Sequence, residues 1–354
     1  MESKLEERRL TLSRAQRNLI ALTKTFGDIT VHEKYLSRYD LTTAQLAEGF
    51  TAASEILAKL YTSMIADPKT YAMKGADDDK GLIKNTNFLY FLAKTGELKH
   101  NALEISGSAL AQALKETKVT KPESYLNIFE SLGFNFTGMD KKIESSGTIT
   151  TTCNLSRYLL PALKAMVDAI DEFEQMTYNR GSHYFEMLDC RVLSCYPAVE
   201  PQLTMPYILS KLDEETREIT SRLDNFLAPN AKRAIKGGIG WYWTVTYTSK
   251  KTKKVIASLK LDIQSHDVKL NLANIGKYTE QVSLLPKTMI AQITSNGWDC
   301  GKCNPKCDGA FEFILADSSY SKCRCGSFVF AKPTADDTSY FLELLKSELD
   351  IISA

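Results

Sequence analysis

Apolar residues recur at helical spacing through most of the first half of the chain. Three such stripes predict helices over about 3–25, 42–60 and 155–176. Thr42 and Thr43 stand at the start of the second stripe, and either threonine can accept a hydrogen bond from the free N–H groups of the first helical turn. The pattern therefore predicts a mainly helical N-terminal part.

Residues 82–152 follow the order of elements that is typical of a winged helix. An apolar helix comes first, and a short helix over Ser108–Glu116 follows it. A third helix is predicted over Pro122–Gly133, because proline suits the first turn of a helix and glycine suits its C-terminal end. Short strands over 134–136 and 148–152 complete a hairpin, and the segment is predicted to be a winged-helix-like unit.

Alternating apolar and polar residues appear in the second half and predict strands. The strands cover about 241–248, 255–264 and 268–273 and are joined by short polar turns. An amphipathic helix over Tyr207–Phe226 precedes them, and further helices follow them. We place the boundary near Tyr196–Pro201, which predicts a helical domain over 1–198 and an antiparallel or mixed α/β domain over 199–354. The predicted fold class is α+β.

The composition is that of an ordinary globular protein with little net charge. Of the 354 residues, 44% are hydrophobic and 25% are charged, and the formal net charge is +1. So small a charge gives no global attraction to nucleic acid or to anionic membranes. The sequence contains no run of about 18 apolar residues, and its charged first residues do not resemble a secretory signal. We therefore expect a cytoplasmic protein without a membrane partner.

Five of the eight cysteines lie between Cys300 and Cys325 and form the strongest chemical signal in the sequence. Zn²⁺ binds four thiolates in a tetrahedron, and two closely spaced cysteines supply two ligands from one tight loop. A reducing compartment disfavours disulfides, so metal binding is the more typical use of such a group. We predict a structural zinc ion bound by Cys300, Cys303, Cys323 and Cys325, with Cys307 as the alternative ligand.

This group of cysteines also has other interpretations. The thiols can be reduced and unligated, can form a redox pair, or can bind an iron–sulfur cluster. The second pair has the spacing Cys-x-Cys, which differs from the usual Cys-x-x-Cys of zinc ribbons. A predicted strand over Phe311–Leu315 and a turn at Asp317–Ser319 favour zinc, because they bring the two pairs together. Nearby cations offset the negative charge of four thiolates: Lys302, Lys306, Lys322 and Arg324.

Aromatic residues cluster at the start of the first strand predicted in the second domain. Trp241, Tyr242 and Trp243 follow a glycine-rich segment, and Tyr247 lies on the same strand. Side chains alternate along a strand, so the two tryptophans and Tyr247 share one face while Tyr242 points to the other. Tryptophan and tyrosine combine a large apolar surface with one polar group, which suits a ligand pocket. We predict a pocket bordered by these four residues, with ordinary core packing as the alternative.

The charges of the winged-helix-like unit do not favour DNA binding. Five acidic residues balance five lysines between His100 and Lys142. The helix over 122–132, in the position of a recognition helix, contains Glu123 and Glu130 and neither lysine nor arginine. Because phosphate contacts dominate the affinity of proteins for DNA, we expect binding to nucleic acid to be weak or absent.

No arrangement of residues in the sequence indicates catalysis. The four histidines, His32, His100, His183 and His266, lie far apart. The sequence contains no Gly-x-Ser-x-Gly motif, no phosphate-binding loop and no dinucleotide fingerprint. We therefore predict a non-enzymatic protein.

The second half of the chain, about Leu203–Ala354, resembles the uncharacterised YdhG-like α/β domains. It shares with them a leading helix, a Trp241-x-Trp243 strand, a lysine-rich hairpin over Lys250–Lys254 and a closing helix. The whole chain is similar to a group of uncharacterised proteins from anaerobic Firmicutes, through Phe26–Tyr35 and the tail Lys322–Phe328. The resemblance implies a YdhG-like fold and a bacterial cytoplasm, and it implies no activity. The cysteine group departs from plain YdhG-like domains.

Two functional hypotheses follow from these observations. The first is a non-enzymatic binding or regulatory protein with a structural zinc site, whose C-terminal domain senses a small molecule or a protein partner. The second is a transcription regulator that binds DNA through the winged helix. An enzyme of unknown class is a distant third. The sequence indicates neither the ligand nor the oligomeric state.

Overall fold

The computed structural model of the chain consists of two compact units, Met1–Gln202 (unit 1) and Leu203–Ala354 (unit 2). It describes residues 13–24, 29–119, 121–173, 178–238, 242–262, 266–296, 309–315, 317–323 and 326–353. The division falls four residues beyond the predicted boundary after residue 198. Helices and antiparallel sheets occur in both units, which confirms the α+β class.

Eight α-helices and a four-stranded antiparallel sheet make up the described part of unit 1. The helices are α1 (Arg14–Lys24), α2 (Glu33–Tyr39), α3 (Thr43–Ala66), α4 (Asp79–Thr95), α5 (Gly107–Glu116), α6 (Glu123–Ser131), α7 (Leu159–Asp171) and α8 (Tyr178–Glu186). The strands are β1 (Glu97–Lys99), β2 (Ala102–Ser106), β3 (Phe134–Thr137) and β4 (Thr148–Cys153), and they pair in the order β1-β2-β4-β3.

The longest helix of unit 1, α3, packs against α7 in the core. Thr42 caps α3 as predicted: its hydroxyl accepts from the Gln45 N–H, and the Gln45 side chain accepts from the Thr42 N–H at 2.8 Å. The two helices approach closely at Gly49, where an added Cβ would lie 2.3 Å from the Tyr158 carbonyl oxygen. Glycine is therefore required at this crossing.

The segment from α4 to β4 contains the three helices and two strands predicted for it. The strands β2, β4 and β3 pair side by side, with Ile105 opposite Ile149 and Phe136 opposite Thr151. The short strands β1 and β2 were not predicted, and they pair with each other across a tight turn. The chain thus runs helix, hairpin, two helices and two strands, with the sheet beside the helices.

Five α-helices and two antiparallel sheets make up the described part of unit 2. The helices are α9 (Met205–Lys211), α10 (Glu214–Leu227), α11 (Thr279–Ser283), α12 (Lys287–Ser295) and α13 (Asp337–Ser353). The strands are β5 (Ala231–Gly238), β6 (Tyr242–Ser249), β7 (Val255–Asp262), β8 (His266–Leu270), β9 (Ala310–Leu315), β10 (Ser318–Cys323) and β11 (Phe328–Ala331). One sheet has the order β11-β8-β7-β6-β5, and β9 and β10 form a separate hairpin.

One helix predicted in unit 2 was wrong in its bounds, and the strands β5 and β11 and the helix α11 were not predicted. The single helix predicted over 207–226 is divided into α9 and α10, because Asp213 caps the second helix by accepting from the Thr216 N–H at 2.9 Å. The strand β5 pairs with β6 along its full length.

One face of the five-stranded sheet forms the core of unit 2. Alternate residues of β6 are buried, and helices α10 and α13 contact this face through Asp224 and Phe341. The rings of Phe341 and Phe330 lie 5.0 Å apart between their centroids. Among the described helices of both units, none is long and apolar enough to cross a membrane.

Candidate functional site

Lysine side chains surround a small pocket in unit 1, between the α5–α6 turn and the connection from β3 to β4. The pocket has a volume of about 310 Å³. Its lysines are Lys115, Lys118, Lys121 and Lys142, and two glutamates, Glu123 and Glu144, also line it. The pocket therefore carries an excess of positive charge in a chain that is nearly neutral as a whole.

Backbone conformation places two of these lysines in the turn after α5. Lys118 and Lys121 have φ angles of 61° and 54°, in the left-handed region. The turn is closed by the Val119 N–H, which donates to the Leu114 carbonyl at 2.9 Å. A left-handed residue directly after a helix satisfies the last carbonyls of that helix, so the turn is compact and holds both lysines in place.

The third side of the pocket is a short 3₁₀ segment, Ile143–Ser145, which packs against α5. Ile143 is fully buried, and its N–H donates to the Glu123 carboxylate at the start of α6, at 3.2 Å. At the start of α5, a Cβ on Gly107 would lie 2.3 Å from the Ile143 carbonyl oxygen. This close packing brings Lys142 beside the lysines of the α5–α6 turn.

The even balance of charges in the sequence hides this gathering of lysines. One of the five acidic residues counted there, Glu104, pairs with Lys99 at 2.6 Å and is not part of the pocket. Four of the five counted lysines do line it. These lysines lie close together because of the left-handed turn and the 3₁₀ segment. The positions of the lysines in the sequence predict neither of these two features.

Of the cysteines predicted to bind zinc, the structure describes Cys323. It is the last residue of β10, it is buried, and it pairs with Ala310 of β9. The other predicted ligands, Cys300, Cys303 and Cys325, and the alternative ligand Cys307, lie outside the described residues. Among the residues that the structure does describe, no three His, Cys, Asp or Glu side chains form a group able to hold a metal ion.

The aromatic residues predicted to border a pocket occupy both faces of β6. Trp243 and Tyr247 are 3% and 0% exposed, and the Tyr247 hydroxyl donates to Asp224 at 2.8 Å. Burial, and after it the Asp224 carboxylate, raise the pKa of Tyr247. Tyr242 lies on the opposite face and is 39% exposed, whereas Trp241 is outside the described residues. The alternation is as predicted, but core packing closes the face that carries Trp243.

Comparison of the chain with known proteins finds no matching family model, no matching curated protein and no matching solved structure.

Proposed function

We propose that the chain is a non-enzymatic regulatory protein that binds the phosphate backbone of duplex DNA through the lysine pocket of unit 1. The observation that carries this proposal is the convergence of Lys115, Lys118, Lys121 and Lys142 on one pocket. Lysines that neutralise phosphates release condensed counterions, and this release drives sequence-independent binding.

The order of elements from α4 to β4 supports the same proposal. In a helix-turn-helix the second helix faces the major groove, and the preceding helix crosses the backbone. If α6 is that second helix, the lysines of the α5–α6 turn and of the β3–β4 connection lie where a winged helix meets phosphates. The exposed side chains of α6 include no cation: Ser124, Asn127, Glu130 and Ser131. Base recognition is therefore poor, and the binding that we propose has little sequence selectivity.

Fluorescence anisotropy with a labelled duplex tests this function. We expect a Kd of about 10⁻⁴–10⁻⁶ M at physiological salt, and an affinity that falls steeply as salt increases. Replacing the four pocket lysines by glutamine should lower the slope of log K against log salt by about 0.9 for each lysine that contacts a phosphate.

The β6–β7 connection supplies a control with the same change in charge. It carries Lys250, Lys251, Lys253 and Lys254, and their replacement by glutamine should leave the salt slope as in the wild type. If both quadruple variants weaken binding equally, or if the pocket variant keeps the wild-type slope, the pocket is not the DNA site.

We also infer that the cysteine group holds a structural zinc ion in unit 2, bound by Cys300, Cys303, Cys323 and Cys325, with Cys307 as the alternative ligand. The pairing of Cys323 with Ala310 supports this, because Ala310 comes three residues after Cys307 in the sequence and Cys325 comes two residues after Cys323. The Gly326 N–H donates to the Cys323 carbonyl at 2.9 Å, a turn that suits two ligands from one short loop. Zinc would cross-link the hairpin, and we assign it no chemical step.

A further inference from the structure

A second, larger cleft lies in unit 1, apart from the lysine pocket. It has a volume of about 840 Å³. Its walls come from the end of α2 and the α2–α3 connection, from α7 and the residues before it, and from the end of α4 with the β1–β2 hairpin. Pockets for small molecules typically have volumes of about 300–1,000 Å³, so the cleft is large enough to hold one.

Two of the cations in this cleft are already paired within the protein. Lys164 lies 2.8 Å from one oxygen of Asp168, and the Tyr39 hydroxyl donates to the other oxygen at 2.5 Å. Arg38 lies 2.9 Å from Glu172. Burial, and after it the Asp168 charge, raise the pKa of Tyr39, so this hydroxyl keeps its proton and remains a donor. These groups shape the wall of the cleft without adding net charge to it.

Arg157 differs from these cations, because no described carboxylate pairs with it. Its guanidinium lies over the Tyr158 ring, 4.7 Å from the centroid, and donates to the Tyr158 hydroxyl. Gln45 donates to the same hydroxyl at 2.9 Å and is itself held by the capping box of α3. The stacking and this chain of hydrogen bonds position a charged guanidinium at the edge of the cleft.

Two carboxylates in the cleft also have no ion-pair partner among the described residues. Asp40 follows α2 with a φ of 51°, and its N–H donates to carbonyls of that helix, which fixes its position. Glu97 begins β1, and the nearby Lys99 is paired with Glu104 at 2.6 Å. Among the described residues, the cleft therefore presents one cation and two anions that form no direct ion pair, although Lys99 also attracts Glu97.

We propose that this cleft binds a small zwitterion of peptide size, whose carboxylate pairs with Arg157 and whose ammonium group pairs with Asp40 or Glu97. A guanidinium binds a carboxylate through two parallel charge-assisted hydrogen bonds. A ligand with only one sign of charge meets a repelling group in the same cleft, so polyanions such as nucleotides fit poorly. The inference concerns a different surface from the lysine pocket and does not depend on DNA binding.

Isothermal titration calorimetry with three peptides tests the site. Trialanine carries both charges, its C-terminal amide lacks the carboxylate, and N-acetyl-trialanine lacks the ammonium group. We expect the wild-type chain to bind trialanine about tenfold more tightly than either analogue, because each loses a hydrogen bond between charged groups. Arg157→Gln should remove the preference over the amide. Asp40→Asn with Glu97→Gln should remove the preference over the acetylated peptide.

The variants are suited to this test because all three side chains are exposed, and asparagine tolerates the left-handed backbone at position 40. The variant without the four pocket lysines should bind trialanine like the wild type, so the peptide result stands whether or not DNA binding is found. The proposal is overturned if trialanine does not bind at millimolar concentration, if the three peptides bind equally, or if Arg157→Gln keeps the preference for the free carboxylate.

Discussion

Among the described carboxylates of unit 1, that of Glu186, at the end of α8, is the most deeply buried. Its side chain is 1% exposed and accepts from the Arg14 guanidinium at 2.8 Å, and the Asn18 amide also donates to it at 3.4 Å. Arg14, which is 11% exposed, also contacts His183. Two elements far apart in sequence, α1 and α8, are thus joined by an ion pair that water hardly reaches. In such a desolvated environment, removing one partner leaves the other charge without compensation and lowers the free energy of unfolding.

Arg14→Met should destabilise unit 1 by about 3–5 kcal/mol, because it removes the guanidinium from the buried Glu186 carboxylate and leaves the longer contacts with Asn18 and His183. Combining it with Glu186→Leu should cost less than the sum of the two single changes, since the double variant has no orphaned charge. Urea unfolding followed by far-UV circular dichroism measures the three free energies. Additive effects would show that the pair is not coupled.

At the scale of the elements, the contact between α5 and the β3–β4 connection requires a residue without a side chain at the start of α5. The start of α5 touches the connection through Gly107, and an added Cβ would lie 2.3 Å from the Ile143 carbonyl oxygen and 2.4 Å from that of Ser146. Both oxygens belong to backbone, which cannot move away without disturbing the 3₁₀ segment that carries Lys142 into the pocket. By contrast, a Cβ on Gly147 meets nothing within 4 Å.

Gly107→Ala should therefore destabilise unit 1 by about 1–3 kcal/mol, the usual cost of overpacking. Gly147→Ala adds the same methyl group nearby and serves as the control, with a change in stability close to zero. Thermal unfolding of both variants, monitored by far-UV circular dichroism, gives the comparison. Equal stability of the two would mean that the connection does not pack on α5 as described.

A buried histidine at the start of β8 makes the sheet of unit 2 sensitive to acid. His266 is 7% exposed, its Nδ1 lies 3.2 Å from the Thr216 hydroxyl, and its buried Nε2 has no hydrogen-bond partner in the described part of the chain. Burial lowers the pKa of His266 below its ordinary value, although Asp213, Asp267 and Glu215 act in the opposite direction. The folded chain therefore keeps this imidazole neutral at a pH at which the unfolded chain protonates it.

The lowered pKa of His266 should make the stability of unit 2 depend on pH. Above about pH 7 the imidazole is neutral in both states and contributes no difference, whereas below about pH 6.5 the unfolded state binds a proton that the folded state resists. Stability should thus fall with decreasing pH, by at most about 1.4 kcal/mol per pH unit from this group. His266→Gln should make that fall less steep. Urea unfolding at several pH values compares the slopes, and identical slopes would contradict this role for His266.

The elements that the sequence predicted well are those whose burial pattern is regular. In β6 and β7 apolar and polar residues alternate, and in α3 a capping threonine precedes a long apolar stripe. The strand β5 has the sequence Ala-Lys-Arg-Ala-Ile-Lys-Gly-Gly, with too few apolar residues to show the alternation. Its conformation comes from pairing with β6, which is a long-range contact. The division between α9 and α10 has a local cause, because Asp213 interrupts the apolar stripe and caps α10.

At the scale of the whole molecule, neither candidate site of unit 1 was predicted, because the residues that line each site are far apart in the sequence. The cleft joins residues from 38 to 168, and the lysine pocket joins two helices, a left-handed turn and a loop. A count of charges along a segment does not show which charged side chains lie close together in space. Glu104, for example, pairs with Lys99 and therefore does not offset the charge of the pocket lysines. The proposed zinc ligands, by contrast, are predicted from the sequence alone, because they lie close together along the chain. They stay a prediction, as does the YdhG-like character of unit 2.

The zinc proposal can be tested on unit 2 within the intact chain, because the three tryptophans, Trp241, Trp243 and Trp298, all belong to that unit. Tryptophan fluorescence therefore follows the unfolding of unit 2, while far-UV circular dichroism follows both units. We expect one zinc ion per chain by elemental analysis. Structural zinc contributes folding free energy directly, so a chelator should lower the fluorescence midpoint.

Cys323→Ser should lose the metal and lower the same midpoint, because it removes a proposed ligand at the end of β10. The matched control is Cys153→Ser on β4 of unit 1, which changes a free thiol and should keep both the zinc and the midpoint of the fluorescence transition. A wild-type chain without metal, whose fluorescence midpoint is unmoved by chelator and by Cys323→Ser, would show that the cysteine group is not a zinc site. The hairpin β9–β10 would then be held by its own apolar face, Phe311, Phe313 and Leu315, which is buried in the described structure.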